Sequence, residues 1–94
     1  MPELASFLAT VHGRVQGVFF RSFVQKRSQS LGLTGYVKNL PGGRTLEVRA
    51  EGEKPRLDEL LKHIHKGPPF AKIKLVDVEW SEYGGGFQGF QEKH

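Results

Sequence analysis

An arginine that closes a glycine-punctuated loop is a candidate anion ligand, and Gly13-Arg14-Val15-Gln16-Gly17-Val18-Phe19-Phe20-Arg21 has that form. The segment joins a strand-like stretch, Ser6 to His12, to a helix-like stretch that begins near Phe20 or Arg21. The first turn of a helix leaves backbone N–H groups unpaired, and a side-chain oxygen of Ser, Thr, Asp or Asn usually caps them. No such residue stands at the right place before this helix. Arg21 instead occupies the first turn, where the helix dipole disfavours a cation. A bound anion resolves both anomalies: it accepts from the free N–H groups and pairs with the guanidinium. The segment reads as a phosphate site.

Charge is distributed accordingly. Between Glu3 and Glu47 there is no Asp or Glu, while Arg14, Arg21, Lys26, Arg27, Lys38 and Arg44 fall in that span. The remaining acids all lie from Glu47 onward, and the net charge is +4. The asymmetry favours anions near the N-terminal half. A merely solubilising basic face would carry the same charges, and the uncapped helix start tips the reading toward a site.

If the anion is a phosphoryl group, several mechanisms lack their parts. There is no cysteine for a cysteinyl-phosphate route. The two aspartates, Asp58 and Asp77, fall on a later helix and a later strand, which disfavours an aspartyl-phosphate route at Arg21. No carboxylates and histidines share metal-ligand spacing, and His63 and His65, two apart on a helix, point to different faces. His12, at the end of the first strand, is either a general base or a sheet-face histidine with no catalytic task. Direct attack by water remains. Phosphoryl transfer passes through a loose transition state, so positioning and charge stabilisation suffice when the leaving group is good. A carboxylate qualifies, because its conjugate acid has a pKa of about 4. An alcohol would need a general acid, and none is evident. The chemistry points to acyl phosphates. Asn39 is the candidate positioner of the water, since a neutral amide both accepts and donates. It could equally serve only to open the Asn-Leu-Pro-Gly-Gly turn.

Those residues need a scaffold. Ser6 to His12 reads as a strand, with Phe7, Ala9 and Val11 on one face. Phe20 to Leu31 reads as a helix with Phe20, Phe23, Val24 and Leu31 on one stripe and Gly32 as its stop. Thr34 to Leu40 is a second strand, Pro41-Gly42-Gly43-Arg44 a turn, and Thr45 to Glu51 a third strand that exposes Glu47, Arg49 and Glu51. A second helix starts with Pro55 in its first position and Asp58 and Glu59 near its start. Its apolar stripe is Leu57, Leu60, Leu61 and Ile64, and Gly67-Pro68-Pro69 stops it. Lys72 to Ser81 is a fourth strand whose phase change at Leu75-Val76 suggests a bulge. Tyr83 to Gly86 is a turn, and Gly89-Phe90-Gln91 has room for a short closing strand. The order β-α-β-β-α-β gives an α+β, ferredoxin-like sandwich: an antiparallel sheet with two helices on one face. In such a fold the second strand need not adjoin the first, so the order alone does not bring Asn39 to the loop.

A chain of 94 residues, 37% hydrophobic, is expected to form a single domain over 1–94. With Met1 at one end and a short tail beyond Phe90 at the other, it is expected to be complete. No apolar run of about 18 residues exists, no signal pattern opens the chain, and no cysteine is present, so a cytoplasmic protein without a membrane partner is expected.

These residues resemble a known family. Gly13-x-Val15-Gln16-Gly17-Val18-x-Phe20-Arg21 is similar to the first signature of the acylphosphatases. Gly35-Tyr36-Val37-Lys38-Asn39, followed by a glycine turn and a strand ending Glu51-Gly52, resembles their second. Gly67-Pro68-Pro69 and Gly89-Phe90 are further similarities, and the resemblance runs from about Phe7 to Gln91. It implies hydrolysis of the carboxyl–phosphate bond of acyl phosphates. Arg21 would bind the phosphate, the backbone N–H groups of Val15, Gln16, Gly17, Val18, Phe19 and Phe20 would cradle its oxygens, and Asn39 would orient the water. It implies neither a metal nor an organic cofactor. The uncapped helix start beside Arg21 predicts inhibition by inorganic phosphate or sulfate, and a monomer without a nucleic-acid partner is expected. Two features depart from the pattern. Pro41 to Thr45 carries one extra residue, which puts the ends of the second and third strands in question, and Tyr36 stands where Trp is more usual, with an aromatic core role expected to survive.

Two alternatives compete. RNA-recognition domains share the element order but display aromatic residues on the open sheet face, where Glu47, Arg49 and Glu51 are expected here. A non-catalytic phosphate-binding module would use the same loop; the presence of both Arg21 and Asn39 favours the enzyme.

Overall fold

Alternation of apolar and polar residues builds the central strand. In the computed structural model, which describes residues 2–94, strand β1 spans Leu4–Arg14, and its Ala5, Phe7, Ala9 and Val11 are buried against the helices. It is followed by α1 (Phe20–Ser30), β2 (Thr34–Asn39), β3 (Thr45–Glu53), α2 (Lys54–Lys66), β4 (Lys72–Ser81) and β5 (Phe90–Lys93). The strands form one sheet in the order β4-β1-β3-β2-β5. Phe20 and Val24 of α1 and Leu57, Leu60 and Ile64 of α2 meet Phe7, Val11, Val37, Leu46 and Val48 in a single core. This is the ferredoxin-like arrangement, with one correction. The sheet is mixed, because β5 is a full edge strand that pairs in parallel with β2.

The boundaries shift in instructive ways. Helix α1 ends at Ser30, and Leu31 is its C-cap; Leu33 N–H bonds Ser28 O at 2.9 Å and closes the turn. Pro55 is the second residue of α2, after Lys54. No acid occupies the first turn of α2; Asp58 lies just beyond it and accepts from Lys54 Nζ at 3.0 Å. The bulge falls between His12 and Gly13, where Leu75 and Ile73 are consecutive partners and Lys74 is the extra residue. Gly13 is required there: its φ is 135° and a Cβ would collide with Lys72 O.

The outer sheet face is less open than its alternation implies. Glu51 is 5% exposed, because its carboxylate accepts the N–H groups of Gly84 and Gly85 at 3.1 and 2.9 Å. The segment between β4 and β5 thereby covers that end of β3. Tyr36 also lies on the outer face and not in the core. Its O–H donates to Glu47 Oε2 at 2.7 Å, and its ring packs against Phe87 with Lys93 Nζ 4.3 Å from its centre. Burial, reinforced by the Glu47 carboxylate, raises the pKa of its hydroxyl.

Candidate active site

Strands β1 and β2 are both antiparallel to β3, so they run parallel to each other, one strand apart. Their C-terminal ends emerge at the same end of the sheet: His12 is level with Thr45, and Asn39 with Leu46. The chain order alone left this meeting undecided.

Between the end of β1 and the start of α1 the loop turns sharply. Gly17 has φ 73°, and Phe19, the N-cap of α1, is left-handed at φ 62°, ψ 25°. No side-chain hydrogen bond caps the helix, and its first turn carries no acid. The helical ladder starts with Phe23 N–H to Phe19 O at 3.1 Å, so the amides of Phe20, Arg21 and Ser22 lie before it. A left-handed residue followed by a helical one is the alternation whose successive N–H groups converge on an anion. Val15, Val18 and Phe20 are buried and anchor the loop to the core, whereas the Phe19 ring is 86% exposed.

Gln16 has a role that sequence reasoning missed. Its Nε2 donates to Leu40 O at 2.8 Å and Thr45 O at 2.9 Å, and Gly13 N–H donates to Arg44 O at 3.0 Å. The loop is thus tied to both ends of the β2–β3 hairpin, beside Asn39. The only sequence signal was the residue type, since a neutral amide nitrogen has two protons for two carbonyls.

A cleft of about 370 Å³ lies at this junction, lined by Val15, Gly17, Phe19, Phe20, Arg21, Ser22, Asn39 and Glu92. The loop, Arg21 and Asn39 are therefore brought together; Gln16 and Val18 hold the loop but do not line the cleft. Asn39 Oδ1 is buried and has no hydrogen-bond partner among the described residues. A buried, unpartnered acceptor costs about 1–3 kcal/mol, so Asn39 carries a polar group that the rest of the fold does not use. Arg21 Nη1 donates to Lys93 O and to His94 Nδ1, both at 2.9 Å. This tether aims the guanidinium while engaging one nitrogen of its five-donor fork. Glu92 and the Arg21 tether come from the end of the chain, through the pairing of β5 with β2. Nothing in the local sequence signals that contribution.

His12 stands apart from the cleft. It projects from the outer sheet face, with Nε2 3.2 Å from Asp77 Oδ2. Among the described residues, no group of three or more His, Cys, Asp and Glu side chains could hold a metal ion.

The Acylphosphatase family model matches residues 7–92. The chain belongs to the acylphosphatase family. It is 49% identical over 90 residues to an acylphosphatase of Thermus thermophilus, covering 96% of this chain and 97% of that protein. The crystal structure of the acylphosphatase from Bacillus subtilis matches with a TM-score of 0.90 at 36% identity, over 96% of this chain and 99% of that one. The structure of an acylphosphatase from Coxiella burnetii gives a TM-score of 0.89 at 35% identity, over 97% and 94%.

In this acylphosphatase-family chain the β2–β3 turn is held at its base. The turn residues 41–44 sit beyond Leu40 and Thr45, whose carbonyls Gln16 grips, and Leu40 N–H bonds Thr45 O at 3.0 Å. The turn thus lies outside the clamp, and Asn39 pairs with Leu46. The RNA-binding alternative is not favoured. The outward residues of the two central strands are Leu8, Thr10 and His12 on β1 and Glu47, Arg49 and Glu51 on β3, with no aromatic platform among them.

Proposed function

We propose that the protein is an acylphosphatase that hydrolyses the carboxyl–phosphate bond of acyl phosphates to a carboxylate and inorganic phosphate, without a metal or cofactor. The loop amides from Val15 to Phe20 and the Arg21 guanidinium hold the phosphoryl oxygens. The Asn39 amide accepts a hydrogen bond from a water and aims the water's lone pair at phosphorus. The phosphoryl group then passes from the carboxylate to the water through a loose transition state, with its charge held by donors that are already oriented. The leaving carboxylate needs no proton, and the proton that the attacking water sheds stays on the inorganic phosphate or passes to solvent. The observation that carries this reading is that Asn39, whose amide oxygen has no partner among the described residues, lines one cleft with Arg21 and the uncapped start of α1.

The reading extends to a single domain over residues 1–94 that works as a cytoplasmic monomer and is inhibited by inorganic phosphate or sulfate. No helix among the described residues is long and apolar enough to cross a membrane. The test is hydrolysis of benzoyl phosphate with and without EDTA, beside an alkyl phosphate monoester. Rapid turnover of the first, unchanged by EDTA, is expected, with slow or absent turnover of the second. Loss of activity in EDTA that a divalent metal restores, or efficient cleavage of the monoester, would sink the mechanism.

A further inference from the structure

Among the described residues, two that are not glycine have a positive φ, and both are phenylalanine: Phe19 at 62° and Phe70 at 74°. Holding a bulky residue in the left-handed region costs on the order of 1 kcal/mol or more. Both rings are also turned to solvent, 86% and 84% exposed, so neither recovers that cost by burial in the core. Elsewhere the chain meets positive φ with glycine, as at Gly17 two residues earlier. The two phenylalanines differ in one respect. Phe19 lines the cleft with Arg21 and Asn39, and Phe70, in the connection between α2 and β4, does not.

In-line displacement fixes what Phe19 faces. The attacking and leaving oxygens lie on opposite sides of phosphorus. Of the two cleft residues, Asn39 is half-buried at the end of β2 and Phe19 is exposed, so a water held by the Asn39 amide attacks from the inner side of the cleft. The acyl group then departs through the mouth, which is where an exposed ring on the rim stands. Resting on the acylphosphatase reading, we propose that Phe19 is the specificity-determining contact for the acyl group and selects acyl phosphates whose acyl portion is aromatic. Its ring offers an apolar face to an aryl acid and little to a methyl group. Its backbone, held left-handed, presents the loop amides to the phosphate at the same time. One residue thus serves both ends of the scissile bond.

The experiment compares kcat/KM for benzoyl phosphate and acetyl phosphate in the wild type, Phe19→Asn, Phe19→Tyr and Phe70→Asn. Asn tolerates the left-handed region, so it removes the ring with the least disturbance of the loop. The intrinsic reactivities of the two substrates cancel when their ratio is compared between variants. An aromatic contact of ordinary strength predicts that the benzoyl-to-acetyl ratio falls roughly five- to tenfold in Phe19→Asn. Phe19→Tyr keeps the wild-type ratio, and so does Phe70→Asn. If the wild type hydrolyses both substrates and Phe19→Asn leaves the ratio unchanged, the specificity role is overturned and the acylphosphatase reading stands. An equal fall in Phe70→Asn also overturns it, because the effect would not belong to the cleft. If the wild type hydrolyses neither substrate, the acylphosphatase reading fails and the inference falls with it.

Discussion

At the start of α2, Glu53 is extended, its carboxylate accepts from Arg56 Nε at 3.1 Å, Lys54 N–H donates to Glu3 O at 2.8 Å, and Pro55 has no N–H to satisfy. At the start of α1, Phe19 is left-handed, no acid lies in the first turn, and Arg21 points a cation into the end of the dipole that repels it. Neither helix has a side-chain N-cap hydrogen bond. A missing cap is therefore not, taken alone, the mark of a binding site. At the start of α2 the Lys54 donor is met by Glu3, just before β1, Pro55 has none to meet, and the Glu53 carboxylate stands beside them. The start of α1 leaves the donors facing a cleft and adds an arginine. What distinguishes a site is the surplus of donors and positive charge that the protein does not use.

That contrast is open to measurement. The largest effect is expected for Arg21→Ala, which removes a charged partner used by bound substrate and by the transition state. KM rises, kcat falls, and kcat/KM drops by a factor on the order of 10³ or more. Phosphate should then cease to raise the melting temperature. In the wild type, a ligand at one hundred times its Kd adds about 2.7 kcal/mol of stability. Retention of a phosphate-dependent melting shift in Arg21→Ala would dissolve the distinction between the two helix starts.

Asn39→Ala should separate binding from chemistry. Steady-state kinetics are expected to show kcat lower by a factor on the order of 10²–10³, while phosphate still stabilises the fold. A wild-type kcat would return Asn39 to the role of a turn residue.

Gln16→Ala is predicted to fall between the two classes. It removes two hydrogen bonds to the hairpin, which should lower stability by about 1–2 kcal/mol in urea unfolding. The small misplacement of loop against Asn39 should lower kcat by roughly tenfold. Loss of stability with unchanged kcat would mean that the clamp supports the fold and not the alignment.

The smallest effect belongs to the other helix. Glu53→Ala removes a carboxylate from an exposed ion pair and should cost under about 1 kcal/mol. Activity and the melting shift with phosphate should match the wild type. A changed phosphate response would show that the start of α2 also takes part in anion binding.

Much of this was legible along the chain. The buried face of β3, the apolar stripe of α2 and the phase change in β4 each arise from side chains within a few residues of one another. Glu51 was misread as exposed because its partners, Gly84 and Gly85, come from the far end of the sequence. Tyr36 was misread as core for a similar reason. Alternation says that it opposes Val37, but not which face the helices cover until the sheet is assembled. Gln16 was recognised as part of the loop, yet its side-chain task depended on carbonyls of Leu40 and Thr45 that no local pattern reveals.

The anion-binding role proposed for the loop rests on one short window. Uncapped amides, a glycine turn and an arginine act on one another within a single helical turn, where backbone geometry leaves few alternatives. The proposed pairing of Arg21 with Asn39 was not written there. Arg21 and Asn39 share one cleft because β3 inserts between β1 and β2 and holds them parallel, while β5 adds to the edge of β2 and brings Glu92 to the cleft and Lys93 and His94 to Arg21. Strand order is decided by which faces bury the most apolar surface together, a property of the assembled core and not of any one segment.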